Sequence, residues 1–376
     1  MFKKHFDNLG IDTTLLGYGC MRFPTIDGKI DEVSAEALLD KAYASGVNYF
    51  DTAYPYHDGQ SEPFVGRVLD KYPRDSYFLA TKLPLWKIET LDDAKRIFAE
   101  QLERLHKDYI DFYLFHALNR EKFEKMKELG VFEYLESEKA KGRIRYLGFS
   151  FHDSFDAFKD IIEYRKWDFC QIQLNYMDTE EQAGLAGVAL AESLGVPMVI
   201  MEPVKGGSLA VLPEDVTRPF RMIDPGVSTA SWALRFVGSM NNVKVVLSGM
   251  TSMDQLLDNL ETFDDFRPLD EEEEAAVKEV AEALKKRVFN GCTGCRYCMP
   301  CPNGVLIPFN FHIWNNYGMY NNVGNTKWRW NHEIPDEAKA KNCVECGACE
   351  EACPQHLNIR EDLARAQKML DEVCAE

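Results

Sequence analysis

The chain has 376 residues, 45% hydrophobic and 28% charged, with a formal net charge of −18. That length accommodates a large domain and a small one around real cores, and the acidic balance argues against nucleic acid or an anionic membrane as partner. Met1-Phe-Lys-Lys-His lacks the apolar segment of a signal peptide. The most apolar stretch, 183–204, is broken by Glu192 and a Gly-Val-Pro turn, so it reads as helix plus strand, not a membrane span. A cytoplasmic protein in a reducing compartment is expected.

Short runs rich in Val, Ile, Tyr and Phe predict strands at 15–19, 47–51, 78–82, 110–115, 146–150, 169–174, 197–201 and 243–248. Helix-period segments fall between them at 34–45, 92–105, 124–141, 179–193 and 228–237. Asp31, Asp92 and Asp178 read as their starts, and Gly46 and Gly195 as stops. Strand and helix alternating eightfold over about 250 residues predict an α/β fold, a closed (β/α)8 TIM barrel. The competitor is an open doubly wound sheet, but no G-x-G-x-x-G follows the first strand.

Polar residues stand where barrel strands end. Asp51 closes the second predicted strand, Lys82 the third, and His116 follows the fourth. In a barrel these ends are neighbours on the face where active sites gather. A lysine buried there needs an acid, and Asp51 is placed to serve. Tyr56, five residues beyond Asp51, can lean over the same mouth. Singly, each could be a satisfied core residue; four converging on one rim predict a catalytic group.

Asp51-Thr-Ala-Tyr-Pro-Tyr56-His-Asp-Gly-Gln-Ser-Glu62, Thr81-Lys82 and Phe115-His116 resemble the aldo/keto reductase family over roughly residues 9–265. The resemblance implies carbonyl–alcohol interconversion on a small substrate, with catalytic Asp51, Tyr56, Lys82 and His116. A free phenol, with a pKa near 10, is a weak acid–base group at neutral pH. The ammonium of Lys82 is expected to draw Tyr56 toward its working range, with Tyr56 as proton donor and His116 orienting the carbonyl.

The resemblance also implies an extended nicotinamide dinucleotide touching Met21, Asp51, Ser150, Gln171, Met201, Gly206, Gln255 and Asn259. Ser150 and Gln171 match the carboxamide contacts. Phe151 replaces the usual asparagine, and Met201 stands where a stacking tyrosine is common. Glu202-Pro-Val-Lys-Gly206-Gly207 matches a pyrophosphate loop. Around the 2′-phosphate, where NADPH-preferring members carry cations, this chain has Gly249, Met250 and Gln255. A phosphate there lacks charge-assisted partners, so NAD(H) is expected over NADP(H), with Lys205 the residue able to reverse that.

Acids from Asp270 and basic Lys285-Lys286-Arg287 predict a connecting helix in the charge order its dipole favours. The organisation is then a barrel at 1–268, a connecting helix at 269–288 and a small domain at 289–376. Eight of the eleven cysteines lie in that domain, as Cys292-x-x-Cys295-x-x-Cys298-x-x-Cys301-Pro and Cys343-x-x-Cys346-x-x-Cys349-x-x-x-Cys353-Pro. Both runs resemble halves of a bacterial two-cluster ferredoxin, in which the fourth cysteine crosses to the other cluster. Two 4Fe–4S clusters follow, on Cys292, Cys295, Cys298 and Cys353, and on Cys343, Cys346, Cys349 and Cys301. The first run is one residue short before Cys301, which leaves that residue's cluster open. Two four-thiolate zinc sites are the alternative. Cys20, Cys170 and Cys374 read as filler.

An aromatic, Asn-rich insert separates the runs. Its aromatic residues either glue the small domain to the barrel, or Trp314, Tyr317 or Tyr320 roofs the barrel mouth, with Trp86 as a second wall. The function expected is an aldo/keto reductase-type oxidoreductase whose clusters exchange electrons with a redox protein partner. Two other readings stand beside it: a ferredoxin-fed reductase without nicotinamide, and a hydride-transfer barrel whose clusters are structural or a docking module. Nicotinamide delivers two electrons as hydride, each cluster takes one, and no flavin site is legible to join them.

Overall fold

The computed structural model describes residues 1–375. Eight parallel strands close into a barrel: β1 (Leu16–Gly19), β2 (Tyr49–Asp51), β3 (Phe78–Leu83), β4 (Ile110–Leu118), β5 (Ile144–Phe151), β6 (Phe169–Gln173), β7 (Met198–Met201) and β8 (Val243–Ser248). Each pairs with its successor, and β8 pairs with β1 through Val246 opposite Leu16. The closed TIM barrel expected from the alternation is therefore the observed fold.

Strand alternation explains how the barrel is filled and why its mouth is polar. Tyr49, Ala80, Phe112, Leu114, Phe169, Val199, Val245 and Leu247 form one buried cluster. The ring of Phe112 lies 4.9 Å from those of both Tyr49 and Phe169, which come from different strands. Side chains two apart on a strand share a face. The parity that turns Tyr49, Ala80, Leu114, Phe169 and Val199 inward therefore carries Asp51, Lys82, His116, Gln171 and Met201 onto the same face one step later. Phe6, from an antiparallel hairpin of Lys3–Phe6 and Ile11–Thr14 that the sequence pattern does not signal, joins the filling. A separate, larger cluster packs the barrel strands against the helices around them.

Several helix boundaries differ from expectation. Asp31 caps Glu32–Ala44 as expected, with its carboxylate accepting from the Ser34 N–H. The next expected helix starts at Leu91 and is capped by Thr90 in a reciprocal capping box with Asp93, not by Asp92. The 124–141 segment is two helices, Arg120–Glu128 and Val131–Ala140, separated at Gly130, which is left-handed. The 179–193 helix begins only at Gly184, and Asp178 pairs with Lys205 instead of capping it. Helices Ser61–Leu69, Phe155–Tyr164 and Met253–Asp264 are additional to those expected.

The chain divides into two compact units, residues 1–206 with 230–271, and residues 207–229 with 272–375. The second unit thus includes a segment from the loop after β7. Its core joins Val305, Phe311, Trp314, Trp330, Ile359 and Leu370 from helices Ile307–Tyr320, Val323–His332 and Ile359–Ala375 and the loops before them. Trp314 is fully buried there, stacked 4.8 Å from Phe289, with its indole N–H toward Met369 Sδ at 3.3 Å. Trp314 is therefore an interior residue of the small unit. Among the described residues, no helix is long and apolar enough to cross a membrane.

Candidate active site and cluster cavities

At the polar end of the barrel, Lys82 Nζ donates to Asp51 Oδ1 at 2.6 Å, to the Thr52 carbonyl at 2.8 Å and to Tyr56 Oη at 3.4 Å. The Lys82 and Asp51 side chains are 1% and 3% exposed. The Tyr56 and His116 rings meet edge to face at 6.2 Å, and the Trp86 ring lies 5.0 Å from His116. The four residues expected to converge do so.

Their protonation follows from burial and one charge pair. Burial lowers the Lys82 pKa, but Asp51 and Tyr56 outweigh it and hold the ammonium charged, above its ordinary value. Burial raises Tyr56; Lys82 pulls it back only in part, so the phenol stays protonated above its ordinary value. The net direction is opposite to the lowering expected from the lysine alone, because desolvation is the larger effect. Burial, with Lys82, His152 and Lys122 nearby, holds His116 well below the usual imidazole range, in its neutral form.

His116 owes its placement to a β-bulge. Phe115 pairs with Phe149 and Leu118 with Phe151, so His116 and Ala117 together face the single residue Ser150. Ala117 sits at φ 51°, and its N–H donates to Ser150 Oγ at 2.8 Å. A buried network braces the neighbouring strand end. Glu62 Oε1 accepts from Thr81 Oγ1 and from Gln101 Nε2, both at 2.6 Å, and Gln101 also donates to the Lys82 carbonyl at 3.1 Å. Glu62 closes the motif that begins at Asp51, but nothing in the sequence signals that its carboxylate holds the lysine strand.

The expected cofactor contacts occupy neighbouring strand ends and loops. Gln171 Nε2 lies 3.4 Å from Met201 Sδ, while Gln171 Oε1 and Asp51 Oδ2 are buried without protein partners. Two buried acceptors at strand ends of the same mouth, Gln171 opposite Ser150, fit a ligand amide and hydroxyl, as a nicotinamide ribonucleoside would offer. Gly206 follows β7 at φ 62°; a Cβ there would lie 3.5 Å from both Arg22 Nη2 and Glu202 Oε2. Met21 is exposed in the loop after β1. Asn259 is buried and donates to Ser248 Oγ at 2.9 Å, whereas Gln255 is exposed and accepts from the Thr251 N–H at 2.8 Å. Met250 is a core residue, 1% exposed, and faces no phosphate. Lys205 is held by both oxygens of Asp178, at 2.6 and 2.5 Å. Sequence reasoning missed Arg22, which is exposed beside both Gly206 and Gly249; its only signal is a lone cation just past β1.

In the small unit the cysteines ring two cavities. Cys292, Cys295, Cys298 and Cys353 line one. Cys301, Cys343, Cys346 and Cys349 line the other, with Cys298 on the wall between. Four thiols around each cavity, the fourth drawn from the opposite run, fit a cubane cluster in each.

Residues 15–282 match the aldo/keto reductase family, more than half of the chain. The chain belongs to the aldo/keto reductase family. Residues 291–357 of this reductase match a 4Fe-4S dicluster domain, so the cysteine unit is an iron–sulfur domain, not a pair of zinc sites. The chain is 24% identical over 312 residues to L-galactose dehydrogenase of Arabidopsis thaliana, covering 74% of this chain and 93% of that protein. It is 24% identical over 330 residues to the NADH-specific methylglyoxal reductase of Escherichia coli (strain K12), covering 74% and 95%. The holo form of aldo-keto reductase AKR11C1 from Bacillus halodurans superimposes with a TM-score of 0.63 at 27% identity, covering 75% of this chain and 97% of that one. The reductase is an oxidoreductase whose family takes small carbonyl or alcohol substrates.

Proposed function

We propose that the barrel interconverts a small carbonyl and its alcohol with a nicotinamide cofactor, NADH in preference to NADPH, and that two 4Fe–4S clusters serve electron transfer with a redox protein partner. The observation that carries the reading is the Tyr56 hydroxyl set beside the Lys82–Asp51 pair and the His116 ring. A bound nicotinamide would supply hydride. Ser150, Gln171 and Asp51 would hold its amide and ribose, and Met201 would lie against its ring.

The chain's own residues manage the proton. Tyr56 Oη donates it to the carbonyl oxygen as negative charge develops there. Lys82 then stabilises the phenolate, its own charge fixed by Asp51. Neutral His116 donates one N–H to the same oxygen and orients it. In the oxidative direction the phenolate accepts the alcohol proton.

Preference for NADH is supported by the uncharged Gly249 and Gln255, by the commitment of Lys205 to Asp178, and by the NADH specificity in the name of the Escherichia coli relative. Arg22 would face the pyrophosphate that both cofactors share. For the clusters, Cys295 and Cys346 are exposed, which favours exchange with an external carrier over a buried structural role. Tyr56→Phe tests the proton assignment: turnover is expected to fall roughly a thousandfold, with NADH binding unchanged within a fewfold. Retained turnover would sink the assignment.

A further inference from the structure

Beside the reacting centre the barrel mouth carries a cation that the carbonyl chemistry does not use. Lys122 Nζ donates to the Ala117 carbonyl at 2.9 Å, one residue past His116, and lies 5.9 Å from the centre of the Trp86 ring. Trp86 is in turn 5.0 Å from His116 and 46% exposed. Lys122 is half-buried and makes no ion pair among the described residues, although its ammonium has three N–H groups to place. On the adjoining strand end, the His152 N–H donates to the Leu118 carbonyl at 3.2 Å, and Nδ1 meets Gln182 Oε1 at 3.2 Å. Gln182 Oε1 only accepts, and its amide nitrogen donates to Gln173, so His152 carries its ring proton on Nδ1 and Nε2 is an acceptor that leaves the anion to Lys122.

The nearby carboxylates are otherwise engaged. Asp51 is paired with Lys82 and Asp178 with Lys205, and Asp153 accepts from the N–H groups of Arg120 and Ser154. Glu121 and Glu202 are the acids that act on Lys122 and His152 through space. In a chain of net charge −18, a half-buried ammonium with no carboxylate in hydrogen-bond contact, beside the His116 and Trp86 rings, is suited to take its counter-charge from a ligand.

We propose that the substrate is an oxo acid, or the matching hydroxy acid, whose carboxylate binds Lys122 across the Trp86 ring while its carbonyl sits at Tyr56 and His116. Lys122 acts as a specificity residue and Trp86 packs the carbon chain between the two polar ends. The inference rests on the carbonyl-reductase reading and names the substrate class for that site.

The test separates binding from turnover. Succinamate, which is not reduced, carries an amide carbonyl and a carboxylate; succinamide has the same shape without the charge. Titrated into the whole protein, succinamate is expected to bind at least tenfold more tightly, and Lys122→Met to remove that advantage while Lys122→Arg retains most of it. Equal binding of the two probes, or a Lys122→Met variant that keeps the preference, overturns the proposal. In parallel, kcat/KM with NADH is measured for 4-oxobutanoate and its methyl ester. Lys122→Met is expected to raise KM for the acid about tenfold with kcat little changed and to leave the ester within twofold. Loss on both alike overturns the proposal. Reduction of neither compound by wild type speaks against the carbonyl-reductase reading itself, while the succinamate titration still decides the anion site.

Discussion

Lys82 and Asp51 are buried charges of the barrel that can be found from sequence. Charged groups at the ends of apolar runs have few structural explanations, and a buried lysine needs a buried acid. The pair also matters to stability. Lys82→Met would leave Asp51 uncompensated inside the protein, and the expected loss is about 3–5 kcal/mol, measured by denaturant unfolding. A loss below about 1 kcal/mol would mean that water already reaches the carboxylate. What the sequence could not convey is the balance of effects on Tyr56. The lysine's pull is readable from one residue, but the opposing desolvation depends on how every neighbour closes over the ring. The commitment of Lys205 is hidden for a related reason: its pairing with Asp178 spans two loops and leaves no mark in either.

Among the elements, strands are more legible than helices. Buried parallel strands are written as continuous apolar runs, and all eight fall within a few residues of expectation. Helix starts fail where two capping residues lie close together. Thr90 prevails over Asp92 because its hydroxyl and the Asp93 carboxylate satisfy each other's backbone donors. The β4 bulge leaves no sequence signal, since Ala117 is an ordinary residue held in an unusual conformation. Yet the bulge aims His116, and Ser150 Oγ is the acceptor that fixes it. Ser150→Ala would strand the Ala117 N–H, at an expected cost of about 1–3 kcal/mol. Because it lets His116 drift, kcat should fall more than tenfold while NADH affinity weakens less. Unchanged kcat would mean that the bulge holds its shape without the serine.

Across the whole molecule, cysteine spacing carries the most information per residue. Thiols two apart, repeated with a following proline, have few uses besides iron–sulfur clusters, and each cavity of the small unit is lined by cysteines of both runs. The sequence does not indicate that residues 207–229 belong with the small unit, because that grouping depends on long-range packing. Cys353→Ser, reconstituted anaerobically, is expected to hold about half the iron and sulfide of the wild type. Full iron content in that variant would contradict the crossed assignment. The most direct test of the central claim is anaerobic titration of the flavin-free protein with NADH and, separately, NADPH, following nicotinamide and cluster absorbance together. A hydride-transfer barrel with Gly249 and Gln255 at the expected 2′-phosphate positions, and Arg22 serving the shared pyrophosphate, should show saturable NADH binding, at least tenfold tighter than NADPH. Bleaching of the clusters by NADH alone would join both units in one electron path. Binding of neither cofactor would contradict a hydride-transfer barrel and point to electrons entering through the clusters.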